Sequence, residues 1–513
     1  MDARTTADTE AMRIGDRWPI LGALMLAVMV IMLDNSVLNV ALPAIGTALG
    51  ASNAELQWVV TAYSVTFGGL LLTTGNLSDR MGRKKVLVVG LLLMAVGSAL
   101  VVLAHTAAAL IAIRALVGVG AALAMPSTLS LMYVTFPGPI RTKAVGIWSS
   151  VSLAGIVFGP LMAGFMLTRL SWQWLFAINI PVALVAVPVV LRAIPESKEA
   201  TGEPTDFVGA VLSVGVLAAL IYGLSSGPVE GWLSLPVLAA FGATVMLSVL
   251  FCWRELTATH PMLDLRTVAS RAFAVPAVVE AAAFMAMASI MFIQTQLVQL
   301  VLGYSPLVAG LLSLPVVVAL IVLTGPIATL ANRLPVRVMI AGGLAISATG
   351  AGIIALWPTS VWAIIGGMVV VMIGVRASLT TVAIEVIDAL PPGRAGIGSA
   401  LNDTFQEVGG ALGVGLLGAL LNQAYRSALP AGAPAAVQSS IVGAVTDPTW
   451  IEPARAAFTH GASVALVCGM AILLVVGVAA AALHHPGLRT GLATGSPVPE
   501  DAEFGGPTGA TLG

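Results

Sequence analysis

Long apolar runs alternate with short polar segments along almost the whole chain, from about residue 18 to residue 485. A helix that crosses a hydrocarbon layer of about 30 Å needs roughly 20 apolar residues. Within each run the apolar residues are continuous, which indicates helices and excludes the alternating pattern of a membrane β-barrel. Fourteen spans are predicted: residues 18–43, 56–78, 86–104, 107–134, 144–168, 172–191, 207–226, 234–253, 272–301, 306–331, 338–357, 362–387, 395–424 and 461–483.

The composition supports membrane helices. Charged residues make up 9% of the 513 residues, apolar residues make up 58%, and the mean hydropathy is +1.00. Soluble domains carry about 25% charged residues, so a water-facing surface cannot be built from this chain. These values exclude a soluble enzyme, a nucleic-acid-binding protein and a secreted disulfide scaffold. They predict an all-α polytopic membrane protein.

Basic residues divide unevenly between the loops. If the N-terminus lies in the cytoplasm, 18 of the 23 Lys and Arg residues fall on cytoplasmic segments, three on external segments and two within spans. Cytoplasmic loops of membrane proteins carry the excess of Lys and Arg. The distribution therefore predicts an even number of spans and two cytoplasmic termini.

A weak internal repeat divides the chain into halves. The segment Gly75–Lys85 ends the second span, and a similar segment, Gly325–Arg337, ends the tenth. Arg80 aligns with Arg333, 253 residues later. Duplicated halves are typical of secondary transporters, although chance similarity between Gly- and Pro-rich loops is the alternative.

Five segments carry a family resemblance: Leu33–Pro43, Gly75–Lys85, Arg114–Gly120, Gly146–Gly164 and Trp172–Pro181. In these segments the chain resembles the major facilitator superfamily, and within it the fourteen-helix drug:proton antiporters of the QacA/EmrB type. The resemblance covers about residues 18–485. It implies two six-helix bundles, two extra helices and a proton gradient as the energy source, with no cofactor.

The spans and the resemblance together predict the domain organisation. The predicted parts are a cytoplasmic tail at 1–17, an N-terminal six-helix bundle at 18–191, a linker with inserted helices 7 and 8 at 192–253, a C-terminal six-helix bundle at 254–485 with a long extracellular loop at about 425–458, and a disordered cytoplasmic tail at 486–513.

Seven ionisable residues fall inside the predicted spans: Asp34, Arg114, Glu280, Arg376, Glu385, Asp403 and Glu407. An unpaired charge in hydrocarbon costs roughly 2.5–3.5 kcal/mol on insertion scales, so these side chains are expected to face a cavity or one another. The acidic excess suits cation binding or proton carriage.

Asp34 and Arg114 lie at similar depths in spans 1 and 4. Two interpretations are open for this pair. A carboxylate beside an arginine can exchange a proton for a cationic ligand, or the two residues can form a static ion pair between helices. The resemblance implies roles in proton coupling and substrate binding.

Arg376 and Glu407 are also at matched depth, and Asp403 lies one helical turn from Glu407 on the same face. An ion pair between Arg376 and Glu407 is one interpretation. Binding of an anionic group on the substrate by Arg376 is the other. Glu280 and Glu385, in spans 9 and 12, are expected either to attract entering cations or to lie in a wet vestibule with little effect.

Polar residues without charge complete the set of cavity candidates. Exposed polar stripes in lipid are improbable, so these side chains are expected to point inward. They are Asn39, Tyr63, Gln294, Gln296 and Gln299.

Two motifs carry family implications for conformational change. The resemblance implies that Gly75, Asp79, Arg80, Gly82 and Arg83 form a latch that joins the halves in the outward-facing state. It also implies an antiporter motif in span 5, at Gly146, Gly155, Gly159, Pro160 and Gly164. Ordinary close packing of helices on small residues is the alternative for this second motif.

No Walker loop and no metal-binding cluster occurs in the sequence, so neither nucleotide nor metal is predicted. The prediction is a proton-coupled exporter, not an enzyme, in the bacterial inner membrane. Its partners are H⁺, membrane lipid and an amphipathic, mainly cationic small molecule, with no nucleic acid and no obligatory protein partner. The alternatives are a dedicated exporter of one endogenous metabolite or antibiotic, and a nutrient symporter or sensor on the same scaffold.

Overall fold

The structure is a computed structural model that describes residues 18–136, 138–197, 205–259, 261, 263, 265, 269–388, 395–444 and 447–483. The predicted tails at 1–17 and 486–513 lie outside these residues. The described residues form helices and connecting turns without a strand. The α-helices are α1 (Trp18–Leu49), α2 (Asn53–Met81), α3 (Arg83–Leu100), α4 (Ala107–Thr135), α5 (Gly138–Leu167), α6 (Asn179–Ala193), α7 (Phe207–Glu230), α8 (Leu235–Thr257), α9 (Arg271–Gln296), α10 (Pro306–Leu311), α11 (Leu314–Arg333), α12 (Val336–Leu356), α13 (Val361–Asp388), α14 (Ala395–Ala428), α15 (Ala435–Ser439) and α16 (Pro448–Leu483).

Local sequence determines where several helices begin. Ser52 caps α2 by accepting a hydrogen bond from the backbone N–H of Glu55, and the Glu55 carboxylate accepts from the backbone N–H of Ser52. Thr106 caps α4 by accepting from the backbone N–H of Ala109, and Asp206 caps α7 by accepting from that of Gly209. Such caps satisfy N–H groups that have no partner within the helix.

The predicted tenth span is divided into two helices, α10 and α11. Pro315 has no N–H to donate to the carbonyl group of Leu311, and its ring disfavours helical geometry at the preceding residue. The chain therefore leaves the helix at Leu312 and Ser313 and resumes it at Leu314. A π-helical turn, Leu297–Val301, follows α9.

Among the described residues, thirteen helices are long and apolar enough to cross a membrane. The predicted fifth span falls in α5, which has 30 residues. Within α5, the segment Phe158–Leu167 is apolar but shorter than the other membrane helices. The helices also run past the predicted spans: α1 continues through Pro43 to Leu49, and α16 begins at Pro448, inside the predicted external loop.

The helices before and after the α7–α8 pair form two groups that meet at one end. We call this the closed end; it carries the turn at residues 50–52. Gly46 of α1 contacts Val442, and Gly164 of α5 contacts Pro306 of α10. At the opposite, open end, α1 packs in a core that contains only residues of the first group. We infer from this difference that the two groups part toward the turn at Gly82.

The inserted helices α7 and α8 pack beside the line where the two groups meet. Helix α7 contacts both α2 and α14, and α8 packs against α7. Ile221 of α7 joins Val65 of α2 and Ala411 of α14 in one buried apolar cluster. The insertion therefore covers one side of the contact between the groups.

Candidate functional site

The first charged cluster joins Asp34 of α1 to Arg114 of α4. Arg114 Nη1 donates a hydrogen bond to Asp34 Oδ2, and Asn179 Nδ2 donates to Asp34 Oδ1 at 2.8 Å. Arg114 is 0% exposed and Asp34 is 3% exposed. Each carboxylate oxygen thus has its own donor, which is the condition for burying an ion pair without a large penalty.

Arg114 is held by aromatic rings and by the backbone as well. Its guanidinium carbon lies 4.6 Å from the centre of the Tyr63 ring and 5.8 Å from that of Phe176. Its Nε donates to the carbonyl oxygen of Val59 at 3.2 Å. Cation–π contacts and backbone hydrogen bonds replace part of the hydration that a buried guanidinium loses.

Asn179 and Ser98 complete this cluster and were not predicted as site residues. Asn179 Nδ2 also donates to Ser98 Oγ at 2.7 Å, so that α1, α3, α4 and α6 meet at Asp34. The only signal in the sequence was the Trp172–Pro181 motif, which contains Asn179. All these contacts belong to the first helix group, so the Asp34 side chain lies inside that group and not in the space between the groups.

The second cluster consists of Glu280 of α9 with Asp403 and Glu407 of α14. We call these three residues the acid cluster. Gln406 Nε2 donates to Glu280 Oε1 at 2.8 Å, and Asp403 lies close enough to interact electrostatically with both glutamates. Glu280 is buried, whereas Asp403 and Glu407 are half-buried.

The acid cluster differs from the first cluster because none of its carboxylates is in an ion pair among the described residues, and the base that acts on Glu407 electrostatically is Arg114, which is already paired with Asp34. Within the described part of the chain, no Lys or Arg forms an ion pair with Glu280, Asp403 or Glu407. Glu280 Oε2 is buried and has no hydrogen-bond partner there. Three neighbouring carboxylates without a paired base need a proton or a cationic ligand to offset their charge.

Helix α2 stands between the two clusters. Tyr63 faces Arg114, and the next residue, Ser64, lies near the Glu407 carboxyl group. Gly68 lets α14 approach, because a Cβ atom at Gly68 would lie 2.8 Å from Glu407 Cβ. The Tyr63 hydroxyl is buried without a partner among the described residues.

Arg376 is exposed on α13 and forms no ion pair with Glu407 in this conformation, although both residues are described. Glu385 lies on α13 outside the residues whose side chains are described. Gln299, in the π-helical turn, donates to the carbonyl oxygen of Val40 at 3.0 Å and so joins the two groups at the closed end.

The remaining cavity candidates are divided between buried and half-buried positions. Gln296 donates to Phe292 in its own helix at 3.4 Å, and Gln294 is buried nearby. Asn39 is half-buried on α1.

Residues of the predicted latch contact one another, α4 and the segment that follows α6. Arg83 forms an ion pair with Asp79 at 2.7 Å, and its backbone N–H donates to the carbonyl oxygen of Ser197. Gly82 adopts φ +112°, and a side chain there would collide with Glu196. Gly75 packs against Pro126 of α4, and Arg80 is exposed. In this conformation these residues bind the segment after α6.

The glycines of α5 face helices of both groups. A Cβ atom at Gly155 would lie 2.7 Å from Met32 Cβ, and Gly159 packs on Ser36 of α1. Gly164 and Pro160 instead meet α10, at Pro306 and Gly310. Gly146 is outside the residues whose side chains are described. The motif therefore lies where α5 touches its own group and the opposite group.

These features define a polytopic helical membrane transporter: two groups of helices meet at one end, part at the other and carry ionisable side chains near their contact. Residues 24–414 match the family described as the Major Facilitator Superfamily, and the chain belongs to that family. It is a multi-pass protein of the bacterial inner membrane and not an enzyme.

Named relatives and solved structures agree with this class. The chain is 33% identical to the multidrug efflux pump LfrA of Mycolicibacterium smegmatis, covering 90% of this chain and 96% of that protein. It is 32% identical to the methyl viologen resistance protein SmvA of Salmonella typhimurium, covering 90% and 97%. The fold is similar to an inward-facing, unoccupied bacterial homologue of the human lysosomal transporter Spinster, with a TM-score of 0.68, 16% identity and coverage of 92% and 98%.

Proposed function

We propose that this protein is a proton-coupled exporter of amphipathic, mainly cationic drugs, dyes, biocides or antibiotics that works by alternating access. The observation that carries the proposal is the acid cluster, in which three neighbouring carboxylates lie where α14 meets α9 and α2 and form no ion pair among the described residues. A proton and a cationic ligand can each offset this charge, so the two compete for the same carboxylates. The name of the relative SmvA, a methyl viologen resistance protein, supports a cationic substrate.

The proposed topology has fourteen spans and cytoplasmic termini. Helix α5 supplies the fourteenth span, and the 18-to-3 division of basic residues supports the orientation. The bundles at 18–191 and 254–485 then rock about the central space, with the linker and inserted helices at 192–253. In this orientation the open end faces the cytoplasm, and the closed end, with the 425–458 loop, faces outward.

We propose a division of roles between the two clusters. The acid cluster carries the exchange, because Asp403 and Glu407 are half-buried while Asp34 is bound on both oxygens inside one helix group. This geometry favours the static alternative for the Asp34–Arg114 pair in the present conformation. Exchange at Asp34 stays a prediction for another step of the cycle. Arg376, which is free of Glu407, is available for an acidic or zwitterionic substrate.

The experiment is dye efflux in inverted membrane vesicles. We expect dye accumulation to follow the imposed pH gradient and to stop when a protonophore collapses it. Vesicles without the transporter give the leak rate. Transport that ignores the gradient would contradict proton coupling, and proton-driven movement out of these vesicles would favour a symporter.

The substrate class is tested with a panel of compounds in intact cells. We expect resistance to several chemically unrelated cationic compounds. Resistance restricted to one metabolite or one antibiotic class would favour the dedicated exporter.

A further inference from the structure

Helices α2 and α14 run antiparallel along the contact between the two groups, and their register is set by two close approaches. Gly68 lies against Glu407, and Gly418 lies against the Gln57 amide, whose Cδ would be 2.8 Å from a Cβ atom at Gly418. Eleven residues separate the two positions on each helix. Asn53 lies four residues before Gln57, and Asn422 lies four residues after Gly418. The two asparagines are therefore at the same level, at the closed end.

Three amide side chains are buried along this contact. Asn53 is 1% exposed, and Gln57 and Asn422 are 0% exposed. Asn53 Nδ2, Gln57 Nε2 and both polar atoms of the Asn422 amide have no partner among the described residues. Buried amides are normally satisfied, so three such groups at one helix contact call for an explanation. We call Asn53, Gln57 and Asn422 the amide cluster.

The amide cluster is connected on one side to the inserted helix. Ser225 of α7 donates to Gln57 Oε1 at 3.1 Å. Further along α7, Ser213 donates to the carbonyl oxygen of Gly69 at 2.8 Å, and Thr205, just before the helix, donates to Asn76 Oδ1 at 2.9 Å. Helix α7 is thus hydrogen-bonded to α2 at three levels.

Among the described residues, α7 packs against α14 through apolar side chains. Ile221 packs against Gly415, and it shares a cluster with Ala411 and Leu412. An apolar contact can slide or separate without breaking hydrogen bonds, whereas the α2–α7 contact cannot. Helices α2 and α7 therefore form one side of the contact, and α14 forms the other.

We propose that the amide cluster is the polar gate of the closed end, and that it opens between α14 and the joined helices α2 and α7. The proposal rests on the proposed function only for the need to open this end. The unpaired atoms of these buried amides raise the free energy of the closed state, and separation of α14 exposes them to water, where they are satisfied. Opening also breaks the hydrogen bond that Ser440 donates to Asn53 Oδ1 at 3.1 Å, and water replaces that donor. An apolar contact of the same shape would instead favour the closed state.

The opposite contact at the closed end is built differently. There, Gly164 and Gly310 bring α5 and α10 together through backbone atoms of Pro306 and Pro160. This contact supplies close packing without amide side chains. The polar gate therefore lies on the side of the molecule that the inserted helices cover.

The test measures opening directly. Spin labels on Ala48 of α1 and Ala435 of α15, both exposed, report the separation of the groups, with Cys252 and Cys468 replaced by Ala. Helix α15 is tied to α14 because Tyr425 donates to the carbonyl oxygen of Val437. We expect purified labelled protein in lipid nanodiscs to show a short and a long distance, whose populations change with pH.

Asn422→Leu, which keeps the number and branching of the side-chain heavy atoms, is expected to reduce the long-distance population about tenfold, and Gln57→Met is expected to act in the same direction. Asn422→Ser, which keeps a polar group, restores the population in part. Gln438→Met is the matched control: this amide lies at the same end, but it donates to the carbonyl oxygen of Ala433, away from the α2–α14 contact.

Unchanged populations in folded, monodisperse Asn422→Leu and Gln57→Met would overturn the proposal, as would an equal effect of Gln438→Met. A parent protein with only the short distance at every pH would also overturn it. The measurement uses neither substrate nor a pH gradient. If the populations change as expected but the protein shows no proton-driven efflux, the proposed function is refuted and the proposed gate is still supported.

Discussion

The two charged clusters on either side of α2 differ in whether their carboxylates have a paired base. Asp34 has a donor on each oxygen, from Arg114 and Asn179, and is enclosed by one helix group. Glu280, Asp403 and Glu407 lie near one another, and none of them forms an ion pair with a base among the described residues. A compensated carboxylate holds helices together, whereas an uncompensated one must bind and release cations. The comparison indicates that burial alone does not identify the exchange site.

The two clusters also differ in which helix groups supply their residues. Asp34 on α1 and its neighbours Ser98, Arg114 and Asn179, on α3, α4 and α6, all belong to the first group. The acid cluster is made by α9 and α14, and Glu407 also meets Ser64 of α2 across the contact between the groups. Binding or release of a proton or cation at the acid cluster therefore changes contacts of both helix groups.

The largest expected effect comes from Glu407→Gln. The amide keeps the shape of the side chain and imitates a permanently protonated carboxyl group, so proton-driven dye efflux in inverted vesicles should fall to the rate of passive leak. The thermal stability of the purified protein should be unchanged or higher, because one uncompensated carboxylate is removed. Efflux at the parent rate would show that Glu407 does not take part in proton exchange.

The control for that prediction is Glu452→Gln at the closed end. Glu452 forms an exposed ion pair with Arg455 at 2.9 Å, far from the acid cluster. Its loss should leave the proton-driven rate intact, since exposed ion pairs contribute little. Equal loss of efflux in both variants would show a general effect of removing charge.

The next largest effect is on stability, from Arg114→Leu. This change leaves the Asp34 carboxylate buried without its cation and should destabilise the protein by about 3–5 kcal/mol. Thermal unfolding in detergent measures the loss. The double variant Asp34→Asn with Arg114→Leu should recover most of it, because no charge is then left unpaired. If Arg114→Leu is as stable as the parent, the Asp34–Arg114 pair does not stabilise the fold, and the proposed difference between the two clusters is wrong.

Asp34→Asn on its own sharpens the same contrast. If the pair is structural, this variant loses stability and keeps the pH dependence of its residual efflux. If Asp34 exchanges protons at another step of the cycle, proton-driven efflux is lost while the protein still reaches the membrane. Efflux at several pH values, corrected for protein amount in the membrane, decides between the two.

The smallest effect is expected from Arg376→Ala. Arg376 is exposed on α13 and has no ion pair with Glu407, so stability should change by no more than about 0.5 kcal/mol. If Arg376 binds substrate, the ratio of anionic to cationic compounds exported should shift a few-fold. Arg337→Ala, at an exposed arginine on α12, is the matched control. A large loss of stability would point instead to an ion pair in another conformation.

Much of the fold could be predicted because hydropathy is a property of segments. Each of the thirteen membrane-long helices falls on a predicted span, and the helix caps at Ser52 and Thr106 are local signals. The break between α10 and α11 was missed because apolar residues continue through it, although Pro315 was a visible cause. Helix ends beyond the apolar core, as in α1, follow from packing that hydropathy does not report.

The candidate site was predictable by residue type but not by partnership. Charged residues in apolar runs stand out, and the pairing of Asp34 with Arg114 at matched depth is present in the structure. The same depth argument allowed Arg376 to pair with Glu407, and these residues do not pair in this conformation. Depth along a helix gives one coordinate, whereas pairing also needs the rotation of each helix about its axis.

Membrane insertion, helical class and the set of ionisable residues within the spans were determined by the sequence alone, because the cost of placing polar groups in hydrocarbon acts on each segment separately. Which carboxylates acquire a base depended on tertiary structure. The same holds for the amide cluster: Asn53, Gln57 and Asn422 are unremarkable in the sequence and meet only because α2 and α14 pack antiparallel. Their positions depend on contacts between segments more than 350 residues apart, which no local pattern encodes.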